Sequence, residues 1–268
     1  MINITPIPAF SDNYLWLIEN TQKNTHNSQD KNDAVIVDPG DAEPVLKVLQ
    51  EKNLNLIAIL ITHHHWDHID GIDDLLKYYN VPVYGPCSKR IPQISVTLKE
   101  GDEVALFDKA LTFKVLEVPG HTDDHIAYVG DINQQPALFC GDTLFAAGCG
   151  RLFDGTHEQF YQSLHKLNSL PLDTQIYCTH EYTLANLAFA EAVEPNNKTI
   201  QERINNEQCK REKNQATLPT NLALERQTNP FLRYQEPAVS SSINQFWKSA
   251  WSSDIDLFTG LRRWKDKF

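Results

Sequence analysis

The sequence predicts an α/β protein, with a strand-rich α/β domain over residues 1–180 and a smaller helical domain over residues 181–268. Three observations predict it. Apolar runs of strand length alternate with stretches whose apolar residues recur at helical spacing. Ten of the eleven glycines lie at or before Gly155, and no histidine follows His180, so composition shifts near that point. Beyond it, Leu184, Leu187, Ala188, Ala190, Ile200 and Ile204 suggest helices, broken by Pro195, Pro219, Pro230 and Pro237.

Taken in order, Tyr14–Ile18 and Ala34–Val37 read as neighbouring antiparallel strands. Between them Glu19–Asp33 is a polar loop to which no function is assigned. Asp38-Pro39-Gly40 closes the second strand; Asp38 is either a plain turn residue or an acceptor that orients a histidine. A helix near Ala42–Lys52 turns Val45, Leu46, Val48 and Leu49 inward. Leu54–Ile61 is a buried strand, and Ile69, Ile72, Leu75, Leu76 and Tyr79 mark the helix after the loop that follows it. Short strands are expected at Val81–Gly85, within Val96–Phe113 with a turn at Gly101-Asp102, and at Leu111–Val118, Ile126–Val129, Ala137–Cys140 and Gln175–Cys178. A helix is expected over Glu158–Leu167.

The chain has 268 residues, 41% of them hydrophobic, enough for a substantial core. Its net charge of −11 argues against general nucleic-acid binding, and an anionic substrate would need locally placed cations. The opening Met1-Ile2-Asn3-Ile4 carries no basic region followed by an apolar segment, so no secretory leader is expected, and no apolar run has the length of a membrane helix. Five cysteines, an odd number without C-x-x-C spacing, predict reduced thiols in a cytoplasmic protein. Cys178 reads as a small buried hydrophobe rather than a nucleophile.

Chemistry concentrates in Thr62-His63-His64-His65-Trp66-Asp67-His68, which holds four of the ten histidines. It lies where a buried strand gives way to a helix, the place where open α/β sheets hold ligands. His63 and His65 point to one side in extended backbone, and Asp67 and His68 follow as the chain turns. Further strands end at His121, Asp142 and His180. If the strands lie side by side, seven nitrogen and oxygen donors converge, too many for one four-coordinate metal and suited to two ions sharing a carboxylate. These donors suit zinc, iron or manganese, with zinc the first expectation.

The pattern His63-x-His65-x-Asp67-His68 with His121, Asp142 and His180 resembles the metallo-β-lactamase superfamily, an αββα sandwich with metals at one edge. The motifs Gly141-Asp142-Thr143-Leu144-Phe145, Ala147-Gly148-Cys149-Gly150, His180-Glu181-Tyr182-Thr183, Asn229-Pro230-Phe231-Leu232-Arg233 and Arg262-Arg263-Trp264-Lys265-Asp266 narrow it to glyoxalase II, the hydroxyacylglutathione hydrolases. The resemblance implies that His63, His65 and His121 hold one metal, that Asp67, His68 and His180 hold the other, and that Asp142 bridges them. It implies that Arg151, Tyr182, Arg262 and Lys265 hold the glutathione part of a thioester substrate, although Arg262 and Lys265 read by composition alone as a solvated basic tail. It implies cleavage of S-D-lactoylglutathione; metal electrostatics point to a bridging hydroxide as nucleophile, with Asp67 accepting its remaining hydrogen bond, and a monomer is expected. Phe153 stands where some members have tyrosine. His121-Thr122-Asp123-Asp124-His125 departs from the commoner His-Thr-x-Gly-His, and His64 and His125 read as supporting rather than ligating.

Rival readings are a mononuclear-iron persulfide dioxygenase, another metallo-hydrolase or nuclease of the same superfamily, and a non-catalytic metal-binding protein. The dioxygenases typically lack the extended helical C-terminus, and the acidic balance argues against a nuclease.

Overall fold

The structure, a computed structural model, describes residues 1–21 and 31–268. The chain divides into two compact units, Met1–Glu117 with Asp124–Gly141, and Val118–Asp123 with Asp142–Phe268.

The first unit runs β1 (Ile2–Ala9), β2 (Asn13–Asn20), β3 (Asn32–Val37), α1 (Ala42–Glu51), β4 (Leu54–Leu60), α2 (Trp66–Ile69), α3 (Ile72–Leu76), β5 (Val83–Pro86), β6 (Val96–Leu98), β7 (Glu103–Leu106), β8 (Leu111–Glu117), β9 (Ile126–Ile132) and β10 (Gln135–Gly141). One sheet has the order β1-β2-β3-β4-β5-β6, antiparallel from β1 to β3 and parallel from β3 to β6. Strands β7 to β10 pair as an antiparallel meander.

Period-two alternation explains why β2, β3 and β4 read as continuous apolar runs: both their faces are covered. Leu15, Leu17, Ala34 and Ile36 pack with Val45 and Leu49 of α1 and Leu75 of α3. Trp16, Ile18, Val35 and Val37 face the other way and are also buried. On the meander, the buried Tyr128 of β9 donates its hydroxyl to the Ile61 carbonyl at the end of β4 (2.8 Å).

Two expectations change in detail. Strands β2 and β3 extend into the polar segment Glu19–Asp33, pairing Glu19 with Ala34, and residues 22–30 of that segment lie outside the described residues. The helix expected to follow the histidines is split into α2 and α3 at Asp70-Gly71. Gly71 donates to the Pro39 carbonyl at 3.0 Å, and a Cβ there would fall 2.4 Å from that same oxygen. Gly71 N, which in a continuous helix would donate to Asp67 O, is instead taken by the Pro39 carbonyl.

The second unit holds β11 (Leu144–Phe145), β12 (Gly148–Cys149), α4 (His157–Asn168), β13 (Gln175–Cys178), α5 (Thr183–Val193), α6 (Lys198–Glu212), β14 (Thr220–Asn221), α7 (Leu222–Thr228), α8 (Pro237–Trp247) and α9 (Asp254–Lys265). Thr156 and Gln159 form a reciprocal capping box at the start of α4. Pro237 opens α8 at its first turn, where its missing N–H costs nothing. The β11–β12 hairpin turns through Ala147 at φ 56°. The buried Glu225 carboxylate accepts from Ala147 N (2.7 Å), Arg203 (2.7 Å), Thr220 (2.6 Å) and Asn229 (3.0 Å). Asn229 also donates to the carbonyls of Phe145 and Gly148, at 3.2 and 2.8 Å. The Asn229-Pro230-Phe231-Leu232-Arg233 motif thus begins with the residue that suspends this hairpin. It ends with Arg233, which makes two bonds to Glu194 at the end of α5.

Candidate metal centre

In the first unit, β4 delivers the chain to Thr62, and the next residues stay extended until α2 begins at Trp66. Asp38, at the end of β3 with φ 50°, is buried and anchors this segment. Its carboxylate accepts from Thr62 N and from Thr62 Oγ, both at 2.7 Å, and lies 3.0 Å from His68 Nδ1. The hydroxyl of Thr62 spends its one hydrogen on Asp38 and so accepts from His63 Nδ1 (3.0 Å), which leaves no hydrogen on Nε2 of a neutral His63. The structure therefore gives Asp38 the orienting role rather than that of a plain turn residue.

His63 Nε2 and His65 Nδ1 stand 3.1 Å apart, close to the roughly 3.3 Å that separates two ligands each about 2.0–2.1 Å from a tetrahedral metal. Asp67 Oδ2 and His68 Nε2 form a second pair 3.7 Å apart. Buried Asn13, at the start of β2, holds Asp67 through a 2.9 Å bond to the same oxygen. The His63 ring stacks on His125 at 4.5 Å and 13°. At Gly141, with φ +47°, a Cβ would sit 2.4 Å from Thr62 Oγ1, so only glycine fits beside this hydrogen-bond chain.

In the second unit, one oxygen of the buried Asp142 lies 3.5 Å from His121 Nε2 and 3.2 Å from His180 Nε2. His121 donates Nδ1–H to the Arg151 carbonyl (2.7 Å), which again leaves Nε2 as the outward nitrogen. A carboxylate oxygen flanked by two such nitrogens suits a bridge between two cations. Every sequence-predicted donor thus falls into one of two sets, His63, His65, Asp67 and His68 in one unit and His121, Asp142 and His180 in the other. Asn13 and Thr62 were not singled out in the sequence as supports. Their partners are distant or main-chain, and the one signal was the placement of Thr62 inside the motif.

The substrate-side residues lie in the second unit. Tyr182 is partly exposed and stacks on His180 at 4.7 Å and 2°. Exposed Phe153 meets His121 edge-on at 5.3 Å. Arg262 is not a solvated tail residue: it is only 4% exposed and stands over the Phe231 ring. Its Nη1 donates to the carbonyls of Cys149 and Gly150 (3.1 Å each), and its Nη2 to Asp266 (3.1 Å). Exposed Arg151 lies 3.6 Å from that same Asp266 carboxylate. Lys265 sits over the Phe189 and Phe268 rings; burial, then the nearby Arg262 cation, push its pKa down to about 8. Burial raises the Cys149 thiol to about 11, which makes it a poor nucleophile. All five cysteines are free, and Cys178 is buried.

Comparison with known proteins defines the class first. Residues 28–180 match the model of the metallo-β-lactamase superfamily, and residues 181–268 match that of the hydroxyacylglutathione hydrolase C-terminus. A hydroxyacylglutathione hydrolase of Photobacterium profundum is 51% identical over the full length of both chains. Among solved structures, ETHE1 from Myxococcus xanthus matches with a TM-score of 0.63 at 25% identity, covering 98% of this chain and 96% of that one. A protein crystallised in a di-iron-bound form matches with a TM-score of 0.57 at 25% identity, covering 85% of this chain and 100% of that one. The chain belongs to the hydroxyacylglutathione hydrolase family of the metallo-β-lactamase superfamily. This bears out the expected fold class and a divalent-metal chemistry for its histidine and aspartate sets.

Removing the Asp38 carboxylate strands two buried donors, Thr62 N and Thr62 Oγ, each worth about 1–3 kcal/mol when left unsatisfied. Asp38→Ala should therefore lower the stability of metal-depleted protein by at least about 2 kcal/mol in urea unfolding. A loss below about 0.5 kcal/mol, the range of ordinary surface changes, would deny it the anchoring role.

Proposed function

We propose that this enzyme hydrolyses S-(2-hydroxyacyl)glutathione thioesters, chiefly S-D-lactoylglutathione, to glutathione and D-lactate. The observation that carries the reading is the pair of donor sets, with His68 Nε2 3.7 Å from Asp67 Oδ2 in one and His121 and His180 Nε2 3.5 and 3.2 Å from Asp142 Oδ2 in the other. In this proposal His63, His65 and His121 hold one divalent ion, Asp67, His68 and His180 hold the other, and Asp142 bridges them. Residues 1–180 act as the catalytic domain and residues 181–268 as the substrate-binding domain. Zinc is the favoured metal, with iron or manganese as alternatives, because the donors are nitrogen and oxygen throughout. Such ions supply a water acidified to near neutral pH and a Lewis acid for the carbonyl oxygen.

The chain's own residues do the rest. Asp67, held by Asn13, accepts a hydrogen bond from the attacking water and fixes its orientation. The leaving group is a thiolate, whose conjugate acid has a pKa near about 8.5, so no dedicated proton donor is needed. Arg151, Tyr182, Arg262 and Lys265 grip the glutathione part. Arg262 does so with its Nη1 held on the Cys149 and Gly150 carbonyls, so a substrate carboxylate competes with Asp266 for the remaining fork. A monomer in the cytoplasm is the proposed setting. Five free cysteines support it, as does the finding that no helix among the described residues is long and apolar enough to cross a membrane. The net charge of −11 supports a small-molecule partner over nucleic acid.

Metal-loaded protein should cleave S-D-lactoylglutathione faster than other acyl thioesters, and Asp67→Ala should remove turnover by about 10²-fold or more. An intact lactoyl thioester in the presence of fully loaded enzyme would overturn the substrate assignment. Lys265 bears a charge below its pKa of about 8 and loses it above, so affinity for the anionic substrate should fall as pH rises through 8. KM measured from pH 7 to 9.5 should climb in the wild type and stay flatter in Lys265→Arg. Parallel profiles would remove Lys265 from the substrate contact.

A further inference from the structure

The structure gives the Asp124 carboxylate a specific partner. His64 donates Nδ1–H to it, with oxygens at 2.8 and 2.9 Å, and both side chains are largely buried, at 14% and 7% exposure. Arg90 Nη1 lies 3.4 Å from the same ring nitrogen and brings a cation to the pair. His64 sits between His63 and His65, with its ring centroid 6.5 and 5.1 Å from theirs. The same two segments are also tied by main chain, where Ile126 N donates to Thr62 O (2.9 Å). The His63–His125 ring stack lies between these two ties. With glycine at 124, the Thr62–Ile126 bond would remain and the His64 end of the strip would lose this anchor.

We infer that Asp124 is a positioning residue that clamps His64 and thereby preorganises His63 and His65 for their metal. The inference rests on the proposed assignment of those two histidines as ligands. Fixing the residue between the two ligands removes backbone freedom that metal binding would otherwise have to quench. Loss of an outer partner of this kind typically costs about 10–100-fold in metal affinity.

The test loads wild type, Asp124→Gly, Asp124→Asn and the double variant His64→Gln/Asp124→Gly with zinc. Release to an excess of a chromogenic chelator is followed alongside KM, kcat and the melting temperatures of loaded and metal-free protein. Asp124→Gly should release zinc about 10–100-fold faster than wild type. Asp124→Asn, which keeps an acceptor oxygen, should fall between, and the double variant should be no faster than Asp124→Gly. KM should hold, and the loaded protein should lose more melting temperature than the metal-free protein. Unchanged release from Asp124→Gly, or equal melting losses with and without zinc, would overturn the clamp. Wild type that takes up no zinc would instead overturn the metal assignment on which the clamp rests.

Discussion

One buried carboxylate determines which nitrogens the histidine strip presents. Asp38 can only accept hydrogen bonds, and it takes them from Thr62 N and Thr62 Oγ, with His68 Nδ1 3.0 Å from its other side. Because the Thr62 hydroxyl has a single hydrogen, the commitment passes on to His63, whose Nδ1 must donate. The His63 imidazole is thereby held in the tautomer that carries its hydrogen on Nδ1. The arrangement has a backbone cost, since Asp38 adopts φ 50°, a region that only a few residue types tolerate. The second unit reaches the same end by a different donor–acceptor pair, with the Arg151 carbonyl taking the His121 Nδ1 hydrogen.

Such crowding of rings needs an explanation beyond packing. The ring centroids of His63 lie 4.0 Å from His68 and 4.8 Å from His65. Imidazolium ions at these separations would repel strongly in a buried setting. Imidazole nitrogens gathered this closely suit a divalent cation. Asp67 and Asp142 add negative charge to each set and so favour cations further.

The fold was legible where a single period governs a stretch. Leu54–Leu60 reads as a strand because both its faces are buried, and its end marks the histidine strip without ambiguity. The seven donors were readable because each follows an apolar run at a turn. The break at Asp70-Gly71 was not, since its cause is the carbonyl of Pro39, a contact outside any local window. Asn13 was illegible for the same reason, lying 54 positions before the aspartate it holds. Arg262 shows a third kind of limit. Composition reads Arg262-Arg263-Trp264-Lys265 as a wet basic tail, whereas burial over Phe231 and bonds to two hairpin carbonyls make its first residue part of the interior.

The proposed hydrolysis requires a pair of divalent cations, and stoichiometric reconstitution tests this most directly. Protein stripped by chelation and dialysed should be inactive toward S-D-lactoylglutathione, and stepwise addition of zinc should restore activity with a break at two equivalents per chain. Full activity in the stripped protein, or zinc uptake that never restores hydrolysis, would contradict it.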